Sequence, residues 1–98
     1  MSLPFDYRLK AREDIDEAYH WYEAQQAGRG DEFLRELAAR VDDVCAAPDL
    51  FGRVRGDVRA VPLPKSKYVV YYRVEGGRVV VLAVQHAHSD PGRWQGRR

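Results

Sequence analysis

His86 and His88 are the residues of this chain best suited to chemistry at neutral pH. An imidazole titrates in the physiological range and can give or take a proton. At i and i+2 on a strand the two rings would face the same side, and Asp90 could add a third metal ligand. Nothing nearby supplies the outer hydrogen-bonding pattern that orients metal ligands, so no metal or cofactor is expected. The other reading makes them polar strand-end residues bonded to neighbouring backbone. The second half of the chain also carries Arg53, Arg55, Arg59, Lys65, Lys67, Arg73, Arg78, Arg93, Arg97 and Arg98. Arg93-Trp94 and Arg97-Arg98 set cations beside an aromatic ring, an arrangement that stacks on a base or docks in a protein groove. Alternatively, Trp94 anchors its segment on the sheet edge.

Several chemistries are excluded. Gly28-Arg29-Gly30 is too short for a phosphate loop and no GK[ST] pattern follows it. Zinc-type CxxC spacing is absent, and so is a G-x-S-x-G elbow; Ser2, Ser66 and Ser89 are the only serines. Asp57, Glu75 and Asp90 are isolated carboxylates, and the acids of the first half recur with the periodicity of a solvated helix face. Cys45 is the single cysteine, so no disulfide forms within the chain, and its place in an apolar stripe marks a small core residue.

The elements that must position these residues follow from periodicity. Leu3, Phe5, Tyr7 and Leu9 alternate with polar neighbours and predict a half-buried strand. From Ala11, the residues Ile15, Ala18, Tyr19 and Tyr22 fall at helical spacing, with acids in the first turns and His20 on the polar side. Gly28-Arg29-Gly30 is expected to end this helix. Asp31 and Glu32 open a second one, whose stripe runs Phe33, Leu34, Leu37, Ala38, Val41, Val44 and Cys45 up to Pro48. The short break makes a helical hairpin, and its two apolar stripes require a sheet to cover them. Val58–Leu63, limited by Pro62 and Pro64, suits an edge or a strand end. Tyr68–Val74, the turn Glu75-Gly76-Gly77 and Arg78–Gln85 form the clearest hairpin, apolar enough for central strands. The expected fold is α+β, ordered β-α-α-β-β-β, with an N-terminal helical hairpin packed on one face of a mainly antiparallel sheet. A length of 98 residues makes this one domain, 1–98, with 89–98 as a basic C-terminal tail.

Net charge is +1, but residues 1–50 hold six Lys/Arg against twelve Asp/Glu, and residues 51–98 hold ten against three. The halves therefore stand at −6 and +7. Either they neutralise each other across the fold, or the second half presents an anion-facing surface to nucleic acid or an acidic protein. The longest apolar run, Val79–Val84, has six residues, where a membrane helix needs roughly 20. No membrane partner and no secretory signal are expected, and the cytoplasm is the natural compartment.

This order of elements carries the phrase Trp21-Tyr22-Glu23-Ala24-Gln25, then Gly30 with Phe33-Leu34, Pro48, and Val58-Arg59. Tyr68-Val69-Val70-Tyr71-Tyr72, Val81-Leu82-Ala83-Val84-Gln85-His86 and Asp90-Pro91 with Trp94 complete it. The set resembles the ParE/RelE family of bacterial type II, plasmid-stabilisation-like toxins over roughly residues 5 to 97. The resemblance implies a toxin neutralised by a cognate antitoxin, as a homodimer or a toxin–antitoxin hetero-oligomer. It also implies one of two actions. RelE-like members cut messenger RNA on the ribosome, which needs a base, an acid and cations for the developing phosphorane charge. ParE-like members inhibit DNA gyrase by binding and are not nucleases. RelE-like members carry an arginine after the tyrosine that begins the third strand; here Val69 follows Tyr68, and His88 and Trp94 stand where further basic and tyrosine residues are found.

The depletion favours the ParE-like side, with no enzyme activity. Arg59, Lys65, Lys67, Arg93, Trp94, Arg97 and Arg98 are then the target-binding residues, and deleting Gly92–Arg98 should weaken toxicity with the fold intact. In the nuclease alternative Arg59, His86 and His88 carry the chemistry. A third alternative is a degenerate module that only binds its antitoxin. An acidic, partly disordered antitoxin segment would suit the cationic sheet edge, leaving Phe51 and Trp94 partly exposed in the free chain.

Overall fold

The computed structural model describes residues 2–90 and 92–97. Strand β1 (Phe5–Tyr7) leads into helices α1 (Leu9–Gln25) and α2 (Arg29–Ala46), and strands β2 (Arg53–Arg55), β3 (Val58–Leu63), β4 (Tyr68–Glu75) and β5 (Arg78–His86) follow. The sheet order is β1-β5-β4-β3-β2. Only the β1–β5 pair is parallel, with Phe5 opposite Val79 and Tyr7 opposite Val81. The α+β hairpin-on-sheet architecture is the expected one, and the apolar β4–β5 hairpin occupies the sheet interior.

Four local details differ from expectation. Leu9 starts α1 instead of ending β1, and is 72% exposed. Because α1 starts there, its first turn contains no acid; Glu13 and Asp14 lie one turn further in. The helix break is Gln26–Gly28, with Gly28 left-handed at φ 93°, and Arg29 and Gly30 belong to α2. Finally, β2 is an added edge strand, fully exposed and paired only to the start of β3.

Gly30 is a contact point, not a helix breaker. A Cβ there would lie 2.7 Å from Glu23 Cγ and from two ring carbons of Tyr19. The missing side chain lets α2 cross close to α1. Gly30→Ala is expected to destabilise the fold by about 2 kcal/mol through overpacking, despite the better helix propensity of alanine. A thermal melt checks this, and an unchanged or raised Tm would show that the Tyr19 ring simply swings aside.

The core lies between the helices and one sheet face. Ala11 and Ala18 of α1 and Phe33, Leu37, Val41, Val44 and Cys45 of α2 meet Val61, Leu63, Val70, Tyr72, Val79, Val81 and Val84. Leu82 is an extra residue in β5, since Tyr71 pairs with Ala83 but Tyr72 with Val81. This bulge redirects the end of the strand. Tyr71 alternates with the core-facing Tyr72 and so faces the opposite side of the sheet. Burial, reinforced by Asp42, holds the Cys45 thiol above its ordinary range, so it remains an inert thiol.

Burial pushes the phenols of Tyr7, Tyr22, Tyr68, Tyr71 and Tyr72 above their usual value of 10.0. Two of them donate to backbone: Tyr72 to the Pro48 carbonyl at 2.7 Å and Tyr22 to that of Ser66 at 2.6 Å. An acid whose folded-state pKa is raised stabilises the fold below its unfolded pKa and loses that contribution as pH rises through the folded value. Cooperative alkaline unfolding is therefore expected above about pH 10, the phenol range, followed by far-UV circular dichroism. Full structure retained at pH 12 would contradict it.

Candidate functional site

The β3–β4 turn and the end of β5 bring four of the anticipated residues to one end of the sheet. Tyr68 lies opposite His86, and Ala87 N–H donates to the Lys67 carbonyl at 2.8 Å. Lys65, Lys67, His86 and His88 are thereby neighbours in the fold. Lys67 is the one non-glycine residue with positive φ (65°) among the described residues. Such conformations persist only where surrounding structure over-determines them.

His88 is not on the strand. After His86 the chain turns, with Ser89 N–H donating to the His86 carbonyl at 2.9 Å. His88 N–H donates to His86 Nδ1 at 3.2 Å, and the two rings are 5.3 Å apart. Beside His86 lies a cavity of about 60 Å³ lined by Asp14, Glu17, Tyr68, Gln85, His86 and Arg93. Burial, with smaller contributions from Tyr22, Glu17 and Asp14, pushes Tyr68 up and keeps its phenol protonated.

Arg59 stands apart. It pairs with Tyr72 on β4, four residues from Tyr68, the partner of His86, a displacement of roughly 13 Å along the strand. Its guanidinium donates to the Phe51 carbonyl at 2.6 Å and the Asp49 carbonyl at 3.3 Å, and meets Asp49 Oδ1 at 3.4 Å. This arginine staples the loop after α2. Phe51 is half-buried, with the Arg40 guanidinium 5.3 Å over its ring.

The C-terminal segment folds back onto the sheet. Trp94 is 5% exposed and stacks on Tyr71 at 4.7 Å and 19°, so it is covered, against the expectation of partial exposure. Arg97 Nη1 donates to Asp14 Oδ2 at 2.7 Å and to the Leu82 carbonyl at 3.1 Å. Val84 N–H donates to the same Asp14 oxygen at 3.0 Å. The pair occupies the edge of β5 that β1, ending opposite Val81, leaves without a strand. Trp94 and Arg97 are thus anchors of this segment, which the fold does not leave as a detachable tail. Arg93 is exposed, and Arg98 lies outside the described residues.

Three acids expected on a solvated face instead hold backbone amides. Besides Asp14, Glu23 accepts from Gly28 and Gly30, and Glu36 from Lys65 at 2.6 Å and Ser66 at 3.0 Å. Lys65, Lys67, Arg93, Arg53 and Arg55 make no ion pair among the described residues. Among those residues no three His, Cys, Asp or Glu side chains are grouped to hold a metal ion, and no helix is long and apolar enough to cross a membrane.

The two helices lie on one face of this sheet, and Lys65 and Lys67 are exposed at the β3–β4 turn. Residues 5–91 match the family model of the ParE toxin of type II toxin–antitoxin systems, and the chain belongs to that family. Two solved structures share the fold. One is from a chromosomal ParDE toxin–antitoxin system of P. aeruginosa, with 18% identity, 87% of this chain and 96% of that chain covered, and a TM-score of 0.77. The other is from the toxin–antitoxin complex RelBE2 of Mycobacterium tuberculosis, with 20% identity, coverage of 88% and 99%, and a TM-score of 0.57. No curated protein matches the sequence.

Proposed function

We propose that this ParE-family toxin acts by binding DNA gyrase in the cytoplasm and cleaves no RNA. The observation that carries this reading is the dispersal of the residues a nuclease would use. Arg59 is committed to the 49–51 loop, away from His86 and His88. General acid–base cleavage needs its groups converged on one reacting phosphate. Binding needs only accessible surface, and Lys65, Lys67 and Arg93 provide exposed cations that make no ion pair among the described residues. Trp94 and Arg97 serve that surface indirectly, by holding the segment that carries Arg93, whereas Arg59 holds the 49–51 loop apart from it.

The cognate antitoxin is the second partner, in a toxin–antitoxin hetero-oligomer. The exposed edge β2, with Arg53, Val54 and Arg55, suits an acidic extended segment that orders as it binds. Inducing the chain without its antitoxin tests the proposal. Gyrase inhibition gives a supercoiling defect and DNA damage with intact messages. Rapid message cleavage with arrested translation would replace it with the nuclease reading. Unimpaired growth would leave a module that only binds its antitoxin.

A further inference from the structure

We infer that the groove between α1 and α2 is the docking site for a second copy of this chain, which seats its exposed β2 edge there. The groove has a volume of about 360 Å³ and is lined by Tyr7, Arg12, Ile15, Asp16, Tyr19 and Leu34. Ile15, Tyr19 and Leu34 make it apolar, and Leu34 is 36% exposed.

Its surroundings are acidic. Residues 9–46, the two helices with the break between them, hold five Lys/Arg against ten Asp/Glu. Asp16 belongs to the lining itself. Asp31 and Glu23 stand close enough to push the Tyr19 phenol above its ordinary 10.0. Arg12, the cation of the lining, is turned to the Tyr7 carbonyl, which its Nε meets at 3.3 Å. Such a groove repels nucleic acid and an acidic polypeptide alike. It suits a segment that carries apolar side chains among cations.

The chain supplies that segment itself. Leu50 is 76% exposed and Val54 52%. Arg53 and Arg55 flank Val54, are exposed, and make no ion pair among the described residues. β2 is the outermost strand of the sheet, so one side of it is open to a partner. Two β2 edges pairing with each other would set two arginines from each copy face to face, which like-charge repulsion opposes. The acidic groove removes that repulsion. Groove and edge are different surfaces, so the contact runs head to tail. The acidic antitoxin segment proposed above takes the same β2 edge and would displace the second copy; only this last point rests on the toxin–antitoxin reading.

Sedimentation velocity of the full chain, made by cell-free synthesis, tests the inference. The average mass should rise with protein concentration, and association should weaken about tenfold between about 0.05 and 0.5 M NaCl. Asp16→Lys and Leu34→Lys, two independent changes to the groove, should each give a monomer. Arg53→Glu combined with Arg55→Glu should do the same from the other side, and all should melt near the parent. Mixing Asp16→Lys with the edge variant brings one intact edge to one intact groove, so the mixture should pair and stop at a dimer. A chain that stays monomeric, association indifferent to salt or to these changes, or a mixture that does not pair would overturn the inference. The readout is mass alone, so a negative result leaves the toxin reading standing, and failure of that reading leaves this contact standing.

Discussion

Asp14→Ala is expected to remove about 3 kcal/mol of folding stability, a large part of what a small domain has. The side chains of Asp14 and Arg97 are only 12% and 17% exposed. Removing the carboxylate strands a partly buried guanidinium and the Val84 amide together. Asp14→Asn keeps an acceptor for the amide and should lose roughly half as much. Asp14→Ala combined with Arg97→Ala should cost less than the sum of the two single changes by on the order of 1–2 kcal/mol, because the second change removes the orphaned charge. Urea denaturation of the four variants measures this. A loss below about 1 kcal/mol for Asp14→Ala would class the pair with ordinary surface ion pairs.

Deleting Gly92–Arg98, which the sequence reading expects to leave the fold intact, is expected instead to do more damage still, and to the fold itself. The deletion removes Arg97 from Asp14 and Trp94 from the Tyr71 ring. Loss of a buried tryptophan side chain alone typically costs about 3–5 kcal/mol. Together these losses approach the whole stability of a small domain. The truncated chain should lack a cooperative melt, and its far-UV spectrum should show lost sheet. Arg93→Ala, by contrast, should stay within about 0.5 kcal/mol of the parent. A truncated chain that melts within a few degrees of the full one would show that the segment is dispensable. The consequence for function is direct: reduced toxicity after truncation says nothing of target contact, whereas reduced toxicity in Arg93→Ala or Lys67→Ala does.

The parts of this molecule written in hydrophobic periodicity were legible in advance. The α2 stripe Phe33–Leu37–Val41–Val44 and the apolar runs of β4 and β5 each have one face, or two, that must be dry. β2 has no such signature, because Arg-Val-Arg is exposed throughout. Arg29-Gly30 reads as a stop, yet Gly30 is present for the close crossing of α2 over Tyr19 and Glu23. The sheet end with Lys65, Lys67, His86 and His88 was partly legible, since a hairpin brings its own strand ends together. The roles of Asp14, Glu36, Arg59 and Arg97 were not. Asp14 and Arg97 are 83 residues apart, and in a linear string an acid within a helical pattern is indistinguishable from a solvated one.

The parallel pairing of β1 with β5 also sets a timetable for synthesis. Phe5–Tyr7 dock beside residues 79–81, so the first strand made waits for the last one before it has a neighbour. Contacts of such long sequence separation form late, after the loop between them has been closed. On the ribosome, the helical hairpin therefore emerges with its apolar stripe only partly covered by β3 and β4 until β5 joins the sheet. During that interval the nascent chain exposes core rather than finished surface, and a chaperone or an antitoxin made nearby meets it before any target can.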